Sequence, residues 1–259
     1  MREFFKAFKV LLLITFVVCI VGSVHAQVSG TYTINKNLPL AGRNFPTFDA
    51  AIKSLSNGVN GPVEFVVSSI NEEYNEQITL NKVKGSSSVN SITIKGNGNK
   101  LSFASASSND RAVIKLDSAD HFIIDSLIID ATGGTYGFGI QLMNSADSNT
   151  IKNCVIYVDS STTSTNFAGI VIAPSASNAI GSTGVNSSND NIIENNRIEG
   201  GYYGMTMCGT TGDPIRNTFR GNIVRNAYYY GIYLTQTLGA VIEHNEITNP
   251  TRTNPSTFY

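Results

Sequence analysis

Apolar residues recur along this chain in short alternating runs, and the runs themselves repeat. Aligned on Ile124, Ile151, Ile193, Phe219 and Ile242, the segments carry Leu127, Cys154, Asn196, Asn222 and Asn245 three residues on. Five residues on stand Ile129, Ile156, Ile198, Val224 and Ile247. The shared line is I-x-x-N-x-I, in copies 27, 42, 26 and 23 residues apart. A second signature precedes the later copies: GIQL at 139, GIVI at 169, GMTM at 204 and GIYL at 231. The widest interval holds ASNAIGSTGVNSSND, which reads as a loop thrown out from one turn. Upstream the rhythm continues as VEFVV at 63, QITL at 77, SITIKG at 91 and VIKL at 113.

A period near 25 residues also suits leucine-rich repeats, so the presence or absence of a helix in each copy decides. No stretch after residue 60 spaces apolar residues at i, i+3, i+4 and i+7 over three turns. Short strands separated by Gly, Asn, Asp and Ser wind instead into a solenoid of stacked parallel strands, right-handed by the rule for parallel crossovers. The predicted fold is therefore all-β, a right-handed parallel β-helix of about seven coils, a rod on the order of 30 Å long. Asn at the bend can satisfy backbone groups and bond to its counterpart on the next coil, a ladder that Leu127 and Cys154 interrupt. Residues one after each anchor, Asp125, Lys152, Glu194, Arg220 and Glu243, alternate in sign and form a predicted outward charge row. An open solenoid end exposes core and strand edges, so a cap is needed. FPTFDAAIKSLSNGV at 45–59 supplies it as a helix, with Thr47 as N-cap, Phe48, Ala51, Ile52 and Leu55 on one face and Gly58 as the stop.

The N-terminus alters where this rod is placed. Three cations in MREFFKAFK, the apolar run VLLLITFVVCIVG and the small residues of SVHA form a secretory signal at 1–26, with cleavage after Ala26. The domain plan is then the signal at 1–26, an N-terminal strand and capping helix at 27–62, and the β-helix at 63–259. No transmembrane segment is expected after cleavage, because the apolar run is short for a ~20-residue span. The mature chain keeps 15 cations against 18 anions, with no basic stripe to neutralise phosphates, so nucleic acid is not an expected partner. Two cysteines, Cys154 and Cys208, make no disulfide framework.

The helix F-x-T-F-x-A-A-I, an apolar strand and then YNEQITL at 74–80 resemble the opening of pectinesterase-type right-handed β-helices. The I-x-x-N-x-I coils resemble the broader pectin-lyase-like superfamily. GTYTIN at 30–35, with NFPTFDAAIKSL and GPVEFVV, is most similar to large secreted β-helix surface proteins of Bacteroidetes-type bacteria. That resemblance implies the fold and export. Such proteins usually continue into more coils or a sorting module. NPTRTNPSTFY shows no cap, so continuation beyond residue 259 is expected.

Catalytic signatures are missing. No G-x-x-D-F-x-x-G segment of the pectinesterases occurs, and SSINEEYNEQ lacks the Gly they place before Tyr. The N-T-D, D-D, H-G and R-x-K blocks of polygalacturonase relatives are absent too. LDSADHFIIDSLIID offers Asp117, Asp120, Asp125 and Asp130, which read as exposed strand and turn carboxylates; calcium enters only under a lyase reading. His121 and His244 lie far apart, no metal-ligand spacing occurs, and no metal or cofactor is expected. No catalytic residue is assigned.

The aromatic residues are more distinctive. YYGM at 202–205 and YYYGIYL at 228–234 align on Gly204 and Gly231, which sets Tyr202 over Tyr229 and Tyr203 over Tyr230. Strand alternation turns one of each pair inward and the other outward. Tyr202, Tyr229 and Tyr233 are the candidate ligand-binding residues, their rings suited to sugars or a protein partner. Two functional classes stay open. One is a secreted or cell-surface, adhesion-type scaffold that binds extracellular polysaccharide or another cell-surface ligand. The alternative is a carbohydrate-active enzyme (polysaccharide lyase, glycoside hydrolase or carbohydrate esterase) with unrecognised catalytic residues or residues beyond this segment.

Overall fold

The computed structural model describes residues 27–181, 188–209 and 216–252. The expected signal at 1–26 and residues 182–187 of the expected loop lie outside them. The described strands form three sheets of nine, seven and six strands. Sheet A takes Val28–Ile34, Asn44–Phe45, Val59–Val67, Ile92–Lys95, Phe122–Asp125, Thr150–Lys152, Ile192–Glu194, Thr218–Arg220 and Val241–Glu243. Sheet B takes Glu73–Asn75, Lys100–Ser102, Ile128–Asp130, Val155–Tyr157, Arg197–Glu199, Ile223–Arg225 and Glu246–Thr248. Sheet C takes Ile78–Asn81, Ala112–Asp117, Gly137–Met143, Phe167–Ile172, Tyr203–Cys208 and Tyr230–Thr235. From Val59 the chain visits A, B and C in turn, completes six coils and opens a seventh, with neighbouring coils joined in parallel register.

Two corners repeat, and each is built by the same pair of residues. Where sheet A turns into sheet B, Ser126, Asn153, Asn195, Gly221 and His244 all take positive φ. The next residue points inward. Asn196 Oδ1 accepts from the Cys154 N–H at 3.0 Å, and its Nδ2 donates to the Ile151 carbonyl at 2.9 Å and to Asn222 Oδ1 at 3.0 Å. Asn222 and Asn245 repeat the pattern, which is the predicted ladder. A second ladder, absent from the sequence expectations, stands where sheet C turns into sheet A. There His121, Ser148, Asp190, Arg216 and Gly239 take positive φ. Asn149, Asn191 and Asn217 follow three of them and bond coil to coil at 2.7–3.0 Å. The left-handed backbone costs energy in non-glycine residues, and the buried amide pairs at each corner offset it.

The anchors stack in register as predicted: Ile124, Ile151, Ile193, Phe219, Ile242 on sheet A and Ile140, Ile170, Met205, Ile232 on sheet C. All are buried except in the last coils. Ile242 is 41 % exposed and Ile232 half-buried, although the repeat aligns both with fully buried anchors. Among the described residues no further coil covers them.

The cap is a short α-helix, α1 (Phe48–Lys53), that tightens into a 3-10 turn at Ser54–Asn57. Thr47 caps it by accepting from the Ala50 N–H at 3.0 Å, and Gly58 ends the turn at φ 86°. The Y-N-E-Q segment locks onto this cap. Tyr74 packs edge-on to Phe48 at 5.1 Å, and the Glu76 carboxylate accepts from the N–H groups of Phe48 and Asp49 at 3.2 and 2.9 Å. Glu76 thus meets free donors at the positive end of α1.

Candidate functional site

Sheet C owes its outer face to the glycine of the repeated Gly-apolar signature. Phe138, Ala168, Tyr203 and Tyr230 pair in register, and so do Ile140, Ile170, Met205 and Ile232, with the intervening glycine skipped at each coil. A Cβ at Gly204 would lie 2.3 Å from Val224 Cγ1, and one at Gly169 would lie 2.4 Å from Ile198 Cγ2, both core side chains of sheet B. The glycine and the apolar residue after it therefore both face the interior, as in a bulged strand. The residue before the glycine turns outside.

That local geometry corrects the alternation argument for the tyrosines. Tyr203 is only 4 % exposed, yet it does not fill the interior of the rod. It belongs to a separate outer cluster with Ala112, Phe138, Ala168, Val171, Ala173, Ala179 and Cys208, against which Tyr202, Tyr230 and Tyr233 pack. Residues 173–181 fold over this cluster. Thr206 Oγ1 donates to the Ala179 carbonyl at 2.7 Å, and Gln141 Nε2 to the Ser175 carbonyl at 2.8 Å.

Six tyrosines converge there. Tyr203 and Tyr230 stack at 6.1 Å with planes 8° apart, and Tyr202 lies 5.6 Å from Tyr229 and 5.3 Å from Tyr228. Tyr233 touches Tyr230 at 5.0 Å and Tyr203 at 6.3 Å. Backbone stacking continues through the corner, since the N–H of Tyr229 donates to Tyr202 O at 3.0 Å and that of Tyr228 to Gly201 O at 2.8 Å. The structure brings the candidates Tyr202, Tyr229 and Tyr233 together, all half-buried, around the buried Tyr203. Burial, with the neighbouring Tyr229 and Tyr228, raises the Tyr202 phenol above its usual range, so that hydroxyl is neutral at physiological pH. Two members escaped the sequence reading. Tyr228 was visible in the YYY run, but Arg252 carried no signal. Its guanidinium lies 4.8 Å over the Tyr228 ring and donates to the carbonyls of Asn226 and Thr162.

The remaining candidates do not converge. Asp117 accepts from Asn144, Asp120 pairs with Lys82 at 3.5 Å, Asp130 with Lys100 at 3.7 Å, and Asp125 belongs to the charge row. His121 and His244 occupy turns at different corners, beside sheet A strands that have three others between them. Among the described residues no three His, Cys, Asp or Glu side chains are placed to hold a metal. Cys154 and Cys208 are buried thiols, and burial pushes each up to about 12, so neither is a ready nucleophile. A hollow of about 470 Å³ lies between α1 and sheet C, lined by Ile52, Val83, Gln77 and Lys82. Its ion pair, Lys53 with Asp49 at 2.7 Å, is an exposed pair one turn apart on α1.

The charge row is in register, with Lys152 between Asp125 and Glu194 and Arg220 between Glu194 and Glu243. Lys152 pairs with Asp125 at 3.8 Å, and Arg220 with Glu194 at 2.5 Å and Glu243 at 4.0 Å. Desolvation pushes the Asp125 carboxyl up, but hydrogen bonds from Asn153 and Ser126, with Lys152 and Lys95, outweigh it and leave its pKa lowered. Its stabilisation is present above the ordinary Asp pKa and is lost as pH falls through the lowered value. Lys152→Glu sets three anions in succession. Thermal melts at low and high salt should show a loss of about 1 kcal/mol at low salt that shrinks at high salt.

Solved structures share this coil architecture. A pectin methylesterase in complex with hexasaccharide VII is 13% identical, covering 89% of this chain and 70% of its own at a TM-score of 0.52. A pectin methylesterase mutant with hexasaccharide IV is 14% identical over the same shares, with a TM-score of 0.54. The chain is a right-handed parallel β-helix. The fold predicted from the repeats and the pectinesterase-like cap stands. Residues 139–253 match the family described as "Periplasmic copper-binding protein (NosD)". No curated protein matches the chain. Among the described residues the thiols and thioethers that suit Cu(I), Cys154, Cys208, Met143, Met205 and Met207, are all buried, and His121 and His244, whose imidazoles suit copper too, stand at different corners, so no copper ligand set is assembled there.

Proposed function

We propose that this protein is an exported β-helix of the cell envelope or exterior that binds polysaccharide through the tyrosine shelf on sheet C. The observation that carries the reading is the cluster itself: six tyrosines on two successive coils, several half-exposed, held by backbone bonds and a buried ring beneath. Aromatic faces rimmed by hydroxyls stack on sugar rings while the hydroxyls bond to theirs. The secretory signal read at 1–26 and the match to a family described as periplasmic support the placement. The scattered carboxylates and buried thiols favour binding over turnover.

Affinity electrophoresis of the purified protein through gels containing pectin, alginate or a neutral glycan tests this. Retardation by at least one polymer is expected. Tyr202→Ala with Tyr229→Ala should weaken it about tenfold, a stacking-sized loss, with the circular dichroism unchanged. Unaltered retardation in the variant would count against the shelf. Release of unsaturated sugars, acetate or methanol from the same polymers would move the protein to the enzyme class.

A further inference from the structure

The outer face of sheet A carries two columns that the sugar-binding reading does not use. One is the charge row, which the structure extends by a coil: Lys95, Asp125, Lys152, Glu194, Arg220, Glu243. The other, two residues earlier on each strand, reads Thr93, Ile123, Thr150, Ile192, Thr218, Val241 in the same register. Both columns alternate, one in sign and the other between Thr and a fully apolar β-branched residue. Ile192 and Val241 are 36 and 44 % exposed. Charge pairing within the row explains the first alternation. Nothing within one copy explains the second, and nothing covers it among the described residues.

We propose that this face is a self-association surface, where two copies meet with their rods antiparallel about a two-fold axis between the coils of Lys152 and Glu194. An axis along the strand direction keeps each column facing its own kind and reverses its order. Because six members of each column alternate, before the register passes to Glu64 and Val66, reversal of those six matches opposites throughout. Lys95 then meets Glu243 of the second copy, Asp125 meets Arg220, and Lys152 meets Glu194, each twice by symmetry. The neighbouring column matches too, since Ile123 meets Thr218 and Ile192 meets Thr150, an apolar side chain against a Thr methyl each time. Two-fold interfaces demand this self-complementarity, residue i on j and j on i. A two-fold along the rod would exchange the two columns and set the charge row against the Thr and apolar column, and a pairing without reversal would set like on like. Complementary charge across a face fixes register and excludes those alternatives.

The footprint sets the strength. Six coils at ~4.8 Å, with columns ~7 Å apart, cover less than the ~800 Å² per partner of standard stable interfaces. The association is therefore weak, concentration-dependent and weakened by salt.

Sedimentation equilibrium of the purified protein should show a monomer–dimer equilibrium. Lys152→Glu alone and Glu194→Lys alone should each weaken it about tenfold or more, because each sets like charges together twice. The double exchange should restore it to within about threefold of the starting affinity. That recovery separates contact between copies from stability within one. In cis the double variant still sets like charges at 125 and 152 and at 194 and 220, so its melting temperature stays low. Ile192→Arg, at an outward position, should remove the dimer with the circular dichroism intact. A protein that stays monomeric to on the order of 1 mM, far above the range of specific complexes, would overturn the proposal. So would a dimer indifferent to the single exchanges, or a double exchange that fails to recover it.

Discussion

Ile193→Asp should leave the protein unable to fold. Ile193 is fully buried and pairs in register between Ile151 and Phe219, in the middle of the anchor stack. A carboxylate there has no cation within the rod, because the charge row of sheet A points outward. An unpaired buried charge costs several kcal/mol, and the apolar contacts of the isoleucine are lost as well. The sum is on the order of the whole stability of a typical domain, about 5–15 kcal/mol. Circular dichroism and limited proteolysis of the purified variant provide the check. A protease-resistant, β-rich Ile193→Asp protein would show that this stack is not the core.

Asn196→Leu should be the next most damaging change. Leucine is nearly isosteric with asparagine, and Leu127 occupies the equivalent site two coils earlier. Shape is therefore not the difficulty. Three bonds are. Leucine takes the acceptor from the Cys154 N–H and the donor from the Ile151 carbonyl, both buried, and one of two donors from Asn222 Oδ1, which keeps the N–H of residue 196. Each buried group left unpaired costs about 1–3 kcal/mol, so a loss of about 3–5 kcal/mol is expected in urea unfolding. A loss below about 1 kcal/mol would mean that the ladder is decoration on a stack held by the isoleucines alone.

The difference between these two variants shows how much was legible in the sequence. A period-two apolar rhythm reports which side faces the interior, and a repeated rhythm reports stacking, so the anchors, the first ladder and the charge row could all be placed by alignment. The second ladder was also written there, as an Asn two residues before Ile151, Ile193 and Phe219. It was harder to see because Asn ahead of a strand is the ordinary residue of any turn, and only its burial sets it apart. The tyrosine orientations were hidden for a different reason. Alternation assumes a regular pleat, and the glycine at 204 breaks it by placing two successive residues on the inner side. That depends on how closely Val224 of another sheet approaches, a contact between segments that no local pattern carries. Arg252 is a similar case. It reaches Thr162 and Tyr228 only because coils far apart in sequence meet at one corner.

The charges and the tyrosines share one origin in the repeat. Parallel stacking multiplies any residue placed at an outward position into a column, with a spacing of ~4.8 Å fixed by the backbone. Alternating charge makes such a column stable, and aromatic rings make it a shelf. The chain uses one on sheet A and the other on sheet C, on different faces of the same rod.

In the proposed function the sheet C shelf is the surface that meets polysaccharide. Hydroxyl-radical footprinting with and without a saturating polymer tests it most directly, because tyrosine side chains are labelled where solvent reaches them. Tyr202, Tyr228, Tyr229 and Tyr233 should be protected, with Ile192 and Val241 on sheet A labelled as before. Protection confined to sheet A, or to the hollow beside α1, with the tyrosines still fully labelled, would contradict it.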